Sequence, residues 1–110
     1  MDSCKERQFQ LCPKFEKTFD ILGKKWNGLI IDVLLEDGAQ RFVEIANKIP
    51  DVSDRVLVER LKELEEKGIV SRDVYGEEAK RIEYSLTCKG QDLKAVMGEI
   101  QTWGEKWLEV

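Results

Sequence analysis

Ser53-Asp54-Arg55-Val56-Leu57-Val58-Glu59-Arg60-Leu61-Lys62-Glu63-Leu64, closed by Lys67-Gly68 and followed by Ile69-Val70-Ser71-Arg72-Asp73-Val74-Tyr75, is the stretch on which the fold turns. Within it the spacing of apolar residues changes from helical to alternating. Leu57, Leu61 and Leu64 stand four and then three residues apart, the stripe of one helix face. Ser53 is a good N-cap, Asp54 complements the positive end of the helix dipole, and Gly68 after Lys67 is a stop signal. Beyond it Val70, Arg72 and Val74 fall on one side of an extended segment, and Ile82, Tyr84 and Leu86 do the same in Arg81-Ile82-Glu83-Tyr84-Ser85-Leu86. Gly76-Glu77-Glu78-Ala79-Lys80 between them reads as a hairpin loop. The pattern predicts a helix over about 53–67 and, directly behind it, a hairpin over about 69–86.

Upstream, Arg41 to Lys48 places Phe42, Ile45, Ala46 and Ile49 on one face, and Pro50-Asp51 breaks it. A longer helix precedes it, with Trp26, Leu29, Ile30, Val33 and Leu34 on one face and an end at Asp37-Gly38. Phe15, Phe19 and Leu22 form the stripe of a first short helix, with Pro13 at a natural first position. Downstream, Thr87 can cap one long helix over about 87–109, carrying Leu93, Val96, Met97, Ile100, Trp103 and Trp107 on its apolar side. Residues 1–10 read as a flexible polar arm and 11–110 as one domain. A short helix, a tight turn, a second helix and a hairpin is the plan of a winged helix-turn-helix, mainly α with a small β-hairpin.

The bulk numbers bound the function. A chain of 110 residues makes one modest core, and 36% charged residues keep it solvated. No apolar run approaches the roughly 20 residues that cross a bilayer, and Met1-Asp2-Ser3-Cys4-Lys5-Glu6-Arg7-Gln8 is too polar for a signal peptide, so a cytoplasmic protein with no membrane partner is expected. There is no histidine, which removes imidazole acid–base chemistry and the commonest metal ligand. Cys4, Cys12 and Cys88 make no even disulfide framework and include no C-x-x-C pair, so neither a secreted scaffold nor a zinc site is expected. With no catalytic constellation, metal or cofactor motif, an enzyme is not expected.

With Leu57 and its partners turned inward, the predicted fourth helix presents Arg55, Val58, Glu59 and Lys62, with Ser53 and Asp54 at its leading end. Base-edge donors and acceptors near a helix N-terminus, with cations for phosphate, are what a recognition helix needs. The same charges are equally those of a solvated face with i, i+4 pairing. The preceding helix and following hairpin favour the first reading. Between residues 41 and 62 five cations (Arg41, Lys48, Arg55, Arg60, Lys62) face four anions, and the net charge is −4, so DNA binding must rest on a few placed contacts and on two copies acting together. The apolar stripe ending in Trp103 and Trp107 either meets a second subunit or folds back on its own core, and its size favours the homodimer.

Cys12 stands at the predicted start of the first helix, with Lys14 next but one and Lys17 further along. A thiol there, near cations, reacts readily with oxidants and electrophiles. A cysteine at such a spacing can also be an inert, partly buried hydrophobe. Cys4 and Cys88 are possible partners.

The strings Cys12-Pro13, Leu22-Gly23-Lys24-Lys25-Trp26 and Arg41-Phe42-Val43-Glu44-Ile45, continued by Val52-Ser53-Asp54-Arg55-Val56-Leu57, Arg60-Leu61-Lys62-Glu63-Leu64-Glu65, Gly68-Ile69-Val70, Arg81-Ile82-Glu83-Tyr84-Ser85-Leu86-Thr87 and Gly90, resemble the HxlR-type transcriptional regulators, relatives of the MarR type. The resemblance spans about residues 11–107. It implies a dimeric winged helix, paired through its terminal helices, on double-stranded inverted-repeat operators. It also implies sensing of quinones, aldehydes or disulfide stress at Cys12. By position it matches Ser53, Arg55 and Lys62 to the recognition helix, Arg60 to a basic position along it, and Arg81 to the wing. Two departures stand out. Val58 replaces a usual threonine, exchanging a polar DNA contact for an apolar one of the kind that meets a thymine methyl. Glu78, Ala79 and Lys80 replace wing prolines, which makes the tip more acidic and puts its minor-groove contact in question.

The expected DNA-binding set is therefore Arg41, Ser53, Asp54, Arg55, Val58, Glu59, Arg60, Lys62, Lys80 and Arg81, with Cys12 as redox sensor. The expected protein is a DNA-binding regulator, a repressor, switched by an oxidant or electrophile. Two alternatives stand beside it. One is a regulator with a non-covalent small-molecule effector held between the domain and the long helix near Trp26, Trp103 or Trp107. The other is a winged-helix protein-interaction module without DNA.

Overall fold

The computed structural model describes residues 10–78 and 81–110. The polar arm expected over 1–10 therefore lies, but for its last residue, outside the described residues, as do Cys4 and Lys80. The elements run α1 (Pro13–Leu22), α2 (Asn27–Asp37), α3 (Phe42–Lys48), α4 (Asp54–Glu66), β1 (Val70–Tyr75), β2 (Arg81–Leu86), α5 (Cys88–Gln91) and α6 (Lys94–Trp107).

The core lies between α2, α3, α4 and the base of the hairpin. Ile30, Ile31, Leu34, Ile45, Leu57, Leu61, Leu64, Ile69 and Val70 are essentially inaccessible to solvent. Helix α4 forms as its sequence directs. The Ser53 hydroxyl accepts from the Val56 amide at 3.2 Å, the three leucines are buried, and Gly68 ends it in the left-handed region at φ 78°. The antiparallel hairpin sets Val70, Arg72 and Val74 opposite Leu86, Tyr84 and Ile82, so the two predicted sides coincide.

Two expectations are corrected, and one contact is added. In α2 the buried face is Asn27, Ile30, Ile31 and Leu34, whereas Leu29 is exposed. Apolar residues surround this helix almost completely, so periodicity cannot choose its inner face. Asn27 is half satisfied inside: its side-chain amide donates to the Ile21 carbonyl at 2.9 Å, at the end of α1, while its Oδ1 is buried without a hydrogen-bond partner among the described residues.

The single helix expected over 87–109 is two helices. Thr87 caps α5, accepting from the Gly90 amide and donating to the Gly68 carbonyl. A side chain at Gly90 would run into the Ile69 carbonyl and Leu86, so α5 lies tight against the hairpin base. Helix α6 follows α2 instead, with Met97 beside Gly28 and Gln101 donating to Asp32 at 2.9 Å. The interruption falls at Asp92-Leu93, where the backbone stays in the right-handed helical region but tightens, the Leu93 amide bonding the Gly90 carbonyl at 3.0 Å.

Finally, Gln40, which no apolar period marks, adds a third edge to the hairpin. Its backbone exchanges both hydrogen bonds with Tyr84, at 2.9 and 2.7 Å. Its side chain donates to the Val33 and Gly38 carbonyls and accepts from Lys48, which also pairs with Asp37.

Helices α1 and α6 contribute little to this core. Helix α1 buries no residue, and Phe15 and Phe19 meet edge to face at 4.9 Å while both are more than half exposed. Helix α6 is anchored by Met97 and Leu93 but leaves Val96, Ile100, Trp103 and Trp107 in solvent. The radius of gyration, 16.7 Å, exceeds the ~13 Å of a compact chain of this length.

Candidate nucleic-acid interface

Helix α4 buries its leucines and thereby turns one continuous face outward. Arg55, Val58, Glu59 and Lys62 lie on it, and Ser53 and Asp54 stand exposed at its N-terminal end. The Arg55 side chain is 89% exposed and only loosely paired with Glu59, at 3.8 Å, so its guanidinium is available for an outside acceptor. Lys62 has no ion pair among the described residues. Val58 is half exposed, an apolar side chain in the middle of a charged face.

Arg60 does not share that face. It is mostly covered and donates to Glu63 at 2.8 Å on the flank of the helix. Glu63 also accepts from Lys24, in the α1–α2 turn, at 2.6 Å. The Lys24 hydrogen bond, helped by the nearby positive charges, holds the Glu63 carboxyl below the usual glutamate value against the opposing effect of burial.

Arg41 is exposed at the N-cap of α3, where its backbone amide donates to the Glu44 carboxylate at 2.8 Å. Arg81 opens β2 and bonds Glu83 at 2.7 Å, which raises its already high pKa. Glu44 acts on it too, so the head of α3 and the loop end of the hairpin share one electrostatic neighbourhood. Lys80 lies outside the described residues. Tyr75, the register partner of Arg81, is half exposed and presents an aromatic ring beside it. Its pairing position in the hairpin was the one signal that could have placed it in the predicted set.

Cys12 is exposed at the N-cap position of α1. Cys88 is exposed as the first residue of α5. Cys12 is therefore not partly buried. The three tryptophans of the effector alternative do not converge. The cleft of about 370 Å³ between α2 and α6 is lined by Leu22, Leu29, Met97 and Ile100 among others. Trp26 lines a different depression, of about 270 Å³, and Trp103 and Trp107 line neither. No helix among the described residues is long and apolar enough to cross a membrane.

A family model described as HxlR-like helix-turn-helix matches residues 21–110. In Bacillus subtilis (strain 168) the HTH-type transcriptional regulator YvaP is 53% identical over 102 residues, 93% of this chain and 94% of that protein. From the same organism, the reduced form of the transcriptional regulator YodB superposes with a TM-score of 0.79 at 50% identity, covering 91% of this chain and 97% of that one. YodB has also been solved diamide-treated and quinone-bound. The redox regulator HypR in its oxidised form gives a TM-score of 0.81 at 38% identity, over 90% of this chain and all of that one.

Proposed function

The chain belongs to the HxlR-like helix-turn-helix family, and from that premise we propose that it is a cytoplasmic repressor that binds an inverted-repeat operator as a homodimer and senses oxidants or electrophiles through Cys12. That it is a DNA-binding transcriptional regulator, and neither an enzyme nor a DNA-free interaction module, follows from the family itself. Its fold is the winged helix of MarR-family regulators.

The observation that carries the proposal is the face of α4. Ser53, Asp54, Arg55, Val58, Glu59 and Lys62 supply donors, acceptors and one apolar surface to base edges in a major groove, while Arg41 and Arg81 address the phosphate backbone. Arg60 is better assigned to holding the helix than to touching DNA. The uncovered stripes of α1 and α6 support the dimer, since a monomer would leave both in water. A two-fold pair sets its recognition helices about 34 Å apart, one duplex turn.

Cys12 heads one of those two helices, so a change at its sulfur acts where the subunits would meet. Two thiols yield two electrons and two protons to an oxidant as they join in a disulfide. A quinone instead takes the sulfur onto a ring carbon, the thiol proton passing to the ring oxygen as the quinone becomes a thioether-substituted hydroquinone. Either stabilises one dimer arrangement over another and moves the recognition helices relative to the groove. YodB in diamide-treated and quinone-bound forms supports that choice of stimulus.

The test is titration of the protein onto duplex DNA from its own upstream region, reduced and diamide-treated, beside Cys12→Ser. Specific binding that oxidation weakens only when Cys12 is present is expected. Specific binding indifferent to oxidation removes the thiol switch. A response that survives Cys12→Ser moves the sensor to a non-covalent effector, for which the α2–α6 cleft is the available space.

A further inference from the structure

We propose that Glu63 is a positioning residue for DNA recognition, acting with Lys24 as a strut that fixes the roll of α4 against the α1–α2 turn. The inference rests on α4 being the reading helix.

A stripe of three leucines fixes a helix along one line of its surface, and a tie on the flank, away from that line, adds leverage against rolling about it. Leu57, Leu61 and Leu64 form such a stripe. Glu63 projects roughly a quarter turn away from the centre of the exposed face at 3.6 residues per turn, where a lateral tie has most leverage over roll. Its carboxylate is occupied on both oxygens: Lys24 at 2.6 Å on Oε2 and Arg60 at 2.8 Å on Oε1. Arg60 belongs to α4 itself and orients the carboxylate. Lys24 belongs to another part of the chain, 39 residues earlier.

The far end of the strut is itself fixed. Gly23 closes α1 with its amide on the Phe19 carbonyl at 2.8 Å, and a Cβ there would lie 2.6 Å from that oxygen. Asn27, buried three residues after Lys24, bonds the Ile21 carbonyl. Lys24 is thus presented from a short turn pinned on both sides. Its direction is set by the end of α1, the helix that Cys12 begins. The strut is partly solvated, the Lys24 side chain being 47% exposed, so its effect on affinity should be a few-fold and not a loss of binding.

Electrostatics makes the test sharp. Removing a carboxylate from a DNA-binding helix should, by charge alone, tighten binding to the polyanion. The strut predicts the opposite. Affinities for the duplex carrying the specific site and for a scrambled duplex are measured for wild type, Glu63→Gln, Lys24→Gln, Lys24→Arg and the double Gln variant, with a melting curve for each. Expected is a loss of about 3- to 5-fold in specific affinity for Glu63→Gln and for Lys24→Gln, no further loss in the double variant, and recovery with Lys24→Arg. Scrambled-duplex affinity should rise slightly for Glu63→Gln.

Specific binding by Glu63→Gln equal to or tighter than wild type overturns the proposal. So does additive loss in the double variant, which would mean two unrelated charge effects. A wild type without specific binding fails before any variant is compared, and that failure belongs to the recognition-helix reading, taking the strut down with it.

Discussion

Helices α4 and α6 carry apolar stripes of the same spacing and meet opposite fates. The leucines of α4 sink into α2, α3 and the hairpin and vanish from solvent. In α6 only Met97 is buried, and Val96, Ile100, Trp103 and Trp107 face outward, as do Phe15 and Phe19 of α1. Periodicity identifies which face of a helix is apolar. What covers that face depends on where the chain has put other apolar surface, and 110 residues do not supply enough to cover both helices.

The contrast breaks most visibly in the core. Leu61→Ala on α4 should cost about 2–5 kcal/mol through lost burial and the cavity left behind. In a domain of this size that lowers the melting temperature by roughly 10–30 °C, read by circular dichroism. If Leu61→Ala melts like wild type, α4 is not packed as described. Ile100→Glu on α6 should leave the fold intact and instead halve the mass seen by sedimentation. Operator affinity should fall more than about tenfold as the two half-site contacts are uncoupled. An unchanged mass would show that the stripe is not a subunit contact.

The smallest effect sharpens the comparison on the polar side of α4. Glu63 titrates below its ordinary value in the folded chain because Lys24 bonds its ionised form. Its contribution is therefore fully present above the ordinary glutamate value, about pH 4.5, and is lost as pH falls from there through the folded value. The melting temperature of wild type should exceed that of Glu63→Gln at neutral pH, and the gap should close in acid. A gap independent of pH would assign the effect to packing.

Much of this was legible beforehand because local and tertiary signals agree in the middle of the chain. Ser53, the three leucines and Gly68 each specify the same helix independently, and the alternation after Gly68 matches the hairpin register residue by residue. Legibility fails where a residue's environment is made by distant chain. Nothing near Gln40 announces a strand edge, since its partner Tyr84 is 44 residues away. Asn27 looks like a surface residue until the carbonyl end of α1 arrives beside it. Arg60 counts as a cation for DNA in any one-dimensional tally, whereas Glu63 has claimed it. The break at Asp92-Leu93 has no proline to mark it. On one side of it Gly90 packs against the hairpin base, on the other Met97 packs beside Gly28, and neither contact can be read locally.

Gln40 has a consequence for the DNA as well as for the fold. Its backbone bonds to β2 and its side-chain bonds to the end of α2 and to Lys48 clamp the hairpin to the helices at Tyr84, in the same strand as Arg81. The strand that carries Arg81 is thereby tied to the helical body that carries the outward face of α4, which sets a gauge between them, a caliper with its hinge pinned. A duplex gripped by both must offer its groove and its backbone at that fixed gauge. One extra base pair slipped between the two contacts would then disturb binding as surely as a wrong base under Arg55.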